Sequence, residues 1–247
     1  MMVKKRVFDV SVATLSALVW VPVLAVASLA VLVVSGRPVY YRSMRWVRSG
    51  DMTRIVKFRT MVRNADKLVN RDTVPVSGGV RFLNIPPDSP LYTSVGRLLE
   101  RLGLTELPQL VHVLRGEMSI VGNRPLPDNV LGCLREEYPY ADDRFITPAG
   151  LTGPAQLVGR DALTDSERLR VESAYCHAAR YGYTMRLDFM ILLYTVMIVL
   201  KLKDKFDYAG VLDLIYRHAG PHTRFTVLVP SPRLSAGVEA EAELLAD

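Results

Sequence analysis

The apolar positions of the chain are concentrated in one long run near its N-terminus. Residues 10–34 form 25 consecutive positions without a charged side chain, and most of them are Val, Leu or Ala. About 20 such residues are enough for a helix to cross the hydrocarbon core of a bilayer. The run therefore predicts a membrane helix. Its length and the lack of a small-residue cleavage site argue against a cleaved signal peptide.

Basic residues lie on both sides of this run. Lys4, Lys5 and Arg6 precede it, and residues 36–71 carry ten basic side chains against two acidic ones. Because basic flanks stay on the cytoplasmic side, both ends of the run are predicted to be cytoplasmic. Pro22, near the middle, should bend or break the helix. A re-entrant helical hairpin that enters one leaflet satisfies both features, and a kinked single span is the alternative.

A second apolar run covers residues 187–202 and has charges only near its ends. It is too short to span a bilayer comfortably, so it predicts an interfacial or buried helix. The tail from Ser231 is rich in Ala and Glu and is expected to be flexible. The chain is thus divided into a membrane helix (1–35), a cytoplasmic, membrane-associated domain (36–203) and a C-terminal extension with an acidic tail (204–247).

The net charge of +6 would suit nucleic acid, anionic lipid or phosphorylated substrates. Nucleic acid is the poorest of the three, because no recognised binding module is present and the basic stretch lies beside the membrane run. Cys133 and Cys176 follow no metal-binding or redox spacing and are predicted to be buried free thiols.

Several cationic positions could bind phosphate. In residues 55–61, alternation along an extended segment puts Lys57 and Arg59 on one face, where they would clamp a phosphate or simply be the charges of a solvated edge strand. Arg124 precedes a proline, which favours an extended backbone and a fixed guanidinium. Arg160 ends a stretch with three glycines, whose backbone amides can approach an anion closely.

The segment 103–116 predicts a short buried helix. Thr105 suits its N-cap, Pro108 falls in its first turn, and Gly116 suits its end. Apolar residues recur there with helical spacing, namely Leu107, Leu110, Val111 and Leu114. Glu106 would lie at the positive end of this helix, either as an ordinary first-turn charge or as a carboxylate presented to a metal ion.

Taken in order, these features resemble the bacterial sugar transferase family over about residues 4–203. The resemblance is carried by the Lys5-Arg6-x-x-Asp9 motif, residues 36–42, 57–61, 106–110, 116–122, Arg124-Pro125, 150–160 and Leu187-Asp188. It implies an α+β, mainly helical fold with a re-entrant membrane helix and amphipathic interfacial helices. It also implies a cytoplasmic active site at the bacterial inner membrane, Mg²⁺, a UDP-sugar donor, a polyprenyl phosphate acceptor and release of UMP.

The resemblance assigns roles to individual residues. Glu106 is implied as the metal ligand, and Glu106, Thr105 and Arg124 are assigned as the catalytic residues. The substrate-binding residues are implied to be Lys57, Arg59, Gln109 and Arg160. The sugar, the glycan pathway and the oligomeric state stay open, with a homo-oligomer among the options.

Thr105 departs from the family pattern, which has a nucleophilic aspartate before the glutamate. A carboxylate is ionised at neutral pH, whereas a threonine hydroxyl needs an activating base. The preferred interpretation is direct attack by the lipid phosphate, or nucleophilic attack by Glu106 or another carboxylate. The rival is a silent membrane scaffold. Lesser departures are Glu100, Val21 and Asn123, at positions where the family usually has Arg, Ser and Pro.

Overall fold

The computed structural model describes residues 2–65, 85, 89–159 and 162–219. The fold is α+β and mostly helical, as predicted. Its helices are α1 (Met2–Leu15), α2 (Ala17–Ser35), α3 (Ser94–Arg101), α4 (Leu110–Arg115), α5 (Asp128–Glu137), α6 (Pro154–Val158), α7 (Asp165–Gly182), α8 (Met185–Val199) and α9 (Tyr208–His218). Its strands are β1 (Tyr40–Arg48), β2 (Asp51–Phe58), β3 (Ser119–Val121) and β4 (Gly150–Thr152), and two short 3-10 helices cover Leu107–Gln109 and Ala141–Phe145.

The apolar N-terminal run is divided into two helices at Ser16. The hydroxyl of Ser16 donates to the carbonyl of Val12 at 2.6 Å, a contact that competes with the helical backbone ladder. The indole of Trp20 donates back to the carbonyl of Ala13 at 2.8 Å, across the break. The break predicted at Pro22 was therefore misplaced. Pro22 lies inside α2, where it removes a single N–H donor.

Helix α2 exposes most of its apolar surface. Within the described residues it is the one helix long and apolar enough to cross a membrane. Its buried side chains are Ala27 and Val31, which cluster with Phe58 and Leu99. A helix of this kind does not resemble the core helix of a soluble protein, and its remaining surface requires an apolar environment.

The N-terminal helix α1 is inserted into the folded domain by a buried charge. The ammonium of Lys5 donates to Asp188 at 2.7 Å, to the carbonyl of Val121 at 2.7 Å and to the hydroxyl of Tyr175 at 3.0 Å. Lys5 is 2% exposed and Asp188 is fully buried. Lys5 is therefore not the surface flank that the sequence predicted, because its charge is neutralised inside the protein.

Two further charged side chains attach α1 to the domain. Asp9 accepts hydrogen bonds from the hydroxyl of Ser119 at 2.8 Å and the backbone amide of Ile120 at 2.9 Å. Arg6 donates to the carbonyl of Leu114 at 2.5 Å, at the C-terminal end of α4. Together with Lys5, these contacts fix α1 against β3 and α4.

The C-terminal end of α2 is held by a second set of contacts. Arg59 donates to the carbonyls of Ser35 at 2.5 Å and Gly36 at 2.9 Å. Arg63 donates to the carbonyl of Arg37 at 2.9 Å. These carbonyls lie where a helix has no internal donors left, so the guanidinium groups satisfy them. Both ends of segment 2–35 therefore contact the same folded unit.

Two small sheets support the domain. Strands β1 and β2 form an antiparallel hairpin in which Tyr40 pairs with Phe58 and Tyr41 with Lys57. Strands β3 and β4 are parallel, and their backbones approach so closely at Gly122 that a Cβ there would lie 2.3 Å from the carbonyl oxygen of Pro148. The main core joins α1, α4, α7, α8 and α9 around this second sheet.

The second apolar run forms α8, as predicted. Its buried face includes Leu187, Asp188 and Ile191. Its outer face, continued past the end of the helix, exposes Phe189, Leu193, Val196, Val199, Leu200 and Leu202. The chain continues into α9, which packs against α7, and the tail from Ser231 lies outside the described residues. Both cysteines are free, but Cys133 is only half-buried, contrary to the prediction.

Lys5→Met tests the buried anchor of α1. The substitution leaves the Asp188 carboxylate buried without its cation, so the free energy of unfolding should fall by about 3–5 kcal/mol. Urea denaturation in mild detergent measures the change. The control is Arg217→Met, because Arg217 forms an exposed pair with Asp213 in which the side chains are 71% and 51% exposed. A loss below about 1 kcal/mol is expected for the control. An equally small loss for Lys5→Met would contradict the anchor.

Candidate active site

The site begins at the turn that leads into α4. Pro108 lies in the 3-10 turn before the helix, and Gly116 ends α4 in a left-handed conformation with φ of 80°, as predicted. Thr105 is not the N-cap that the sequence predicted. Its hydroxyl is buried and has no hydrogen-bond partner among the described residues, while its carbonyl accepts from the amide of Phe58 at 2.9 Å. That backbone bond places the end of β2 beside Glu106.

His112 connects β2 to α4 and so stabilises this arrangement. Its Nε2 accepts the backbone N–H of Val56 at 3.2 Å, and its Nδ1 contacts the carboxylate of Glu117. Since Nε2 must be the acceptor, the proton of the neutral ring lies on Nδ1 and is donated to the carboxylate. The side chain is 5% exposed. These contacts of His112 were not predicted from the sequence.

Glu106 and Arg124 form the central pair of the site. The guanidinium donates to both carboxylate oxygens, at 2.5 Å and 3.2 Å. The two side chains are 24% and 27% exposed, so the pair lies at the protein surface rather than in the core. The charge of Glu106 raises the pKa of Arg124 above its ordinary value, and Glu100 adds a smaller effect in the same direction. The structure thus unites two of the predicted catalytic residues.

The predicted substrate-binding residues have different surroundings in the structure. Lys57 lies with its ammonium 5.4 Å from the ring centre of Tyr41, on the strand whose end adjoins Glu106. Arg59 comes directly after β2 and donates to the carbonyl of Gly36 at the end of α2. Gln109 is 2% exposed. Arg160 lies outside the described residues.

Two residues that support the site were missed by the sequence. Arg144 contacts the backbone of Arg124, and Glu172 contacts Arg144. A signal was present in α7, where Glu172 shares a helical face with the apolar positions Leu169 and Cys176. A carboxylate on a buried face implies a cationic partner, although its identity cannot be read from spacing alone.

The carboxylate of Glu106 fits a magnesium ion shared with a substrate. Magnesium usually keeps several waters and takes one or two carboxylates together with substrate phosphates, whereas an all-protein cage is unusual. The described part of the chain has no cluster of three or more His, Cys, Asp or Glu residues that could form such a cage. Glu106 is partly exposed and can supply one oxygen ligand. Its pairing with Arg124 means that a divalent cation has to compete with the guanidinium.

Comparison with known proteins shows which family of proteins the chain is similar to. The model of the family described as "Bacterial sugar transferase" matches residues 1–202. The chain is 30% identical over 198 residues to the exopolysaccharide production protein ExoY of Sinorhizobium fredii, a match that covers 78% of this chain and 84% of ExoY. It is 33% identical over 200 residues to the uncharacterized sugar transferase EpsL of Bacillus subtilis, covering 81% and 88% of the two chains.

A larger relative carries a more specific name. The chain is 36% identical over 169 residues to the UDP-glucose:undecaprenyl-phosphate glucose-1-phosphate transferase of Escherichia coli. The match covers 66% of this chain and 32% of that protein. The similarity to this relative is therefore confined to part of its length.

Arg124→Met tests the competition at Glu106. Removing the guanidinium frees the carboxylate, so affinity for Mn²⁺, used as a probe for Mg²⁺, should rise by about tenfold or more in the absence of nucleotide. Electron paramagnetic resonance titration of the full chain in detergent measures the affinity. The added Glu106→Gln substitution should abolish the gain. The control Arg135→Met removes the partner of Asp142 on the surface and should leave the affinity unchanged. Equal Mn²⁺ affinity in Arg124→Met and the unaltered protein would exclude competition.

Proposed function

This chain belongs to the bacterial sugar transferase family, and we propose that it transfers a sugar 1-phosphate from a UDP-sugar to polyprenyl phosphate, releasing UMP. The observation that carries the proposal is the partly exposed Glu106–Arg124 pair, which offers one oxygen ligand and one bidentate phosphate donor at the same point. The reaction would be the first membrane step of exopolysaccharide, capsule, O-antigen or related glycan assembly. The name of the Escherichia coli relative supports this class of reaction.

The proposed location is the cytoplasmic face of the bacterial inner membrane, with α1 and α2 forming a re-entrant element. Support comes from the contacts of Lys5 and Arg59, which hold the two ends of the segment on one folded unit, and from the helix break at Ser16. The exposed apolar face of α8 would rest on the bilayer interface. The polyprenyl phosphate would then present its headgroup at the height of the domain.

The bond changes follow from the substrates. An oxygen of the lipid phosphate attacks the phosphorus that carries the sugar and forms a new P–O–P linkage. The bond between the two phosphates of the donor breaks, and its electron pair leaves with UMP. Because attacking and leaving groups are both anionic, the site must offset their repulsion, and a bound Mg²⁺ would neutralise charge on the donor diphosphate.

The residues of this chain would act by exchanging partners. In the structure, Arg124 pairs with Glu106. With a donor and a cation bound, Glu106 would hold the cation and the guanidinium of Arg124 would turn to phosphate oxygens. Lys57, Gln109 and Arg160 are proposed to contact the donor, and the phosphate role of Arg59 would require it to leave the carbonyls at the end of α2.

A second candidate is a catalytically silent scaffold that binds lipid phosphate and organises a glycan assembly complex. The observation that favours it is Thr105, which is 6% exposed and whose hydroxyl has no base as a hydrogen-bond partner in the part of the chain that the structure describes. A threonine in this setting cannot take over from an ionised carboxylate. We rank direct attack by the lipid phosphate above this candidate because the Glu106–Arg124 pair is intact.

Glu106→Gln tests the proposed reaction. The amide keeps the shape of the side chain but removes the charge that would hold the cation, so transfer should fall by about a hundredfold or more. The assay uses purified full-length protein, radiolabelled UDP-sugars, undecaprenyl phosphate and Mg²⁺, and measures label in the lipid fraction. Glu136→Gln, an exposed change on α5, is the matched control and should retain full activity. No labelled lipid with any common UDP-sugar, or full activity in Glu106→Gln, would reject the proposal.

Thr105→Asp tests direct attack. The unaltered protein, mixed with UDP-sugar and Mg²⁺ but no lipid, should show no covalent sugar-phosphate adduct by intact-mass spectrometry, because its hydroxyl has no activating base. An aspartate at this position is ionised at neutral pH and should trap one sugar phosphate with loss of UMP. Thr105→Asn is the matched control without a nucleophile. An adduct on the unaltered protein that disappears in Thr105→Val would show that the threonine is the nucleophile after all.

A further inference from the structure

The backbone of Arg124 is held by a buried charged pair that lies behind the site. Arg144, in the 3-10 segment Ala141–Phe145, donates from Nη2 to the carbonyl oxygen of Arg124 at 2.6 Å. The same guanidinium is 3.3 Å from the carboxylate of Glu172 on α7. Arg144 is 3% exposed and Glu172 is 1% exposed, so neither can contact a substrate directly. Their effect on the site must pass through Arg124.

Asn123 is fixed in the same network. Its amide nitrogen donates to the carbonyl of Arg144 at 3.0 Å and contacts the sulfur of Cys176 at 3.2 Å. The backbone amide of Gly150 donates to the Asn123 carbonyl at 2.9 Å. Burial raises the pKa of the Cys176 thiol to about 11, so the thiol stays neutral in these hydrogen bonds. The backbone is thus held on both sides of Arg124, at the Asn123 carbonyl by Gly150 and at the Arg124 carbonyl by Arg144.

Burying the Arg144–Glu172 pair in this space carries a desolvation penalty for both charges. Nη1 of Arg144 is buried without a hydrogen-bond partner in the described part of the chain. A buried ion pair can often be replaced by apolar residues of similar volume without loss of stability. An unsatisfied donor makes such a replacement more favourable still. The bond from Arg144 to the Arg124 carbonyl gives this guanidinium a role besides filling the space.

We propose that Asn123, Arg144 and Glu172 are positioning residues that fix the direction in which Arg124 reaches Glu106 and the donor phosphates. The inference rests on the proposed sugar-phosphate transfer and adds the means by which its phosphate-binding arginine is oriented. A proline ring at position 123 would limit the backbone directly. In this chain the side-chain hydrogen bonds of Asn123 restrain the backbone instead.

Asn123→Ala and Asn123→Pro separate positioning from folding. The alanine variant removes the side-chain bonds and should lower kcat by about tenfold to a hundredfold, the usual effect of losing an outer supporting contact. The KM for UDP-sugar should change by less than about threefold. The proline variant should recover most of the activity, since the backbone N–H of Asn123 donates no hydrogen bond within the described residues. Recovery by proline supports positioning, and a folded proline variant as inactive as the alanine variant overturns it.

A double-mutant cycle with Arg124→Gln supplies the decisive readout, and it does not need the proline variant to fold. If Asn123 acts through Arg124, Asn123→Ala should cause no further loss in kcat when Arg124 is already glutamine. An undiminished loss in that background would show an independent structural role and overturn the inference. Ser173→Ala is the matched control, because Ser173 lies on α7 and its hydroxyl bonds to the carboxylate of Asp143 rather than to Asn123 or Arg124. It should keep full activity.

Hydrogen exchange separates this inference from the proposed function. If the unaltered protein transfers no sugar phosphate, the proposed function fails. The positioning role is then tested only by amide hydrogen exchange of the backbone. Asn123→Ala should then speed amide exchange in residues 122–126 of the full chain, whereas Ser173→Ala should not. Unchanged exchange in that segment would reject the positioning role even if transfer were observed.

Discussion

The buried pair of Lys5 and Asp188 is the contact on which the rest of the structure depends. It joins the first turns of α1 to α8, and its additional bonds to Tyr175 and Val121 include α7 and β3. A lysine ammonium pays a large desolvation penalty inside a protein, which only a close carboxylate and further hydrogen bonds can offset. That requirement fixes the direction in which α1 enters the domain. Because α2 follows α1 directly, the position of α1 also fixes where the apolar helix α2 begins.

The other end of the apolar segment is fixed by a different type of interaction. Arg59 and Arg63 bind backbone carbonyls at the end of α2, where helical donors are absent. Lys5 holds the start of α1 and Arg59 holds the end of α2. The two helices therefore form one apolar segment whose ends are both attached to the same folded unit. The charged site at Glu106 lies beside the end of β2, because the amide of Phe58 donates to the carbonyl of Thr105. Anchoring of the apolar segment and placement of the site are therefore mechanically connected.

Local sequence signals predicted local structure well. The apolar helices, the turn at Pro108 and the helix end at Gly116 each depend on side chains within a few residues, so pattern and backbone preference were sufficient. The break at Ser16 was missed because Pro22 gave the stronger signal, although a proline early in a helix removes one donor only. Long-range pairs were beyond such reasoning.

The candidate site shows the same limit. Glu106 and Arg124 were each identified, but nothing in their spacing showed that they pair in the substrate-free protein. Arg59 was assigned to phosphate from strand alternation, which could not show that its guanidinium donates to the carbonyls at the end of α2. Glu172 could have been suspected from its place on a buried helical face. Its partner Arg144, 28 residues away, could be found only from the fold.

Charge balance explains why the loss of the family's aspartate need not disable this site. In an Asp-Glu site, one carboxylate attacks and the other binds the cation, so a cationic side chain has two negative charges to offset. With Thr105 in place of the first, Arg124 pairs with the carboxylate of Glu106, and Glu100 contributes a weaker negative field from the end of α3. In the proposed mechanism the attacking anion would be the lipid phosphate itself. The site would then have to orient two phosphates rather than activate a nucleophile, and that orientation would depend on how rigidly Arg124 is held.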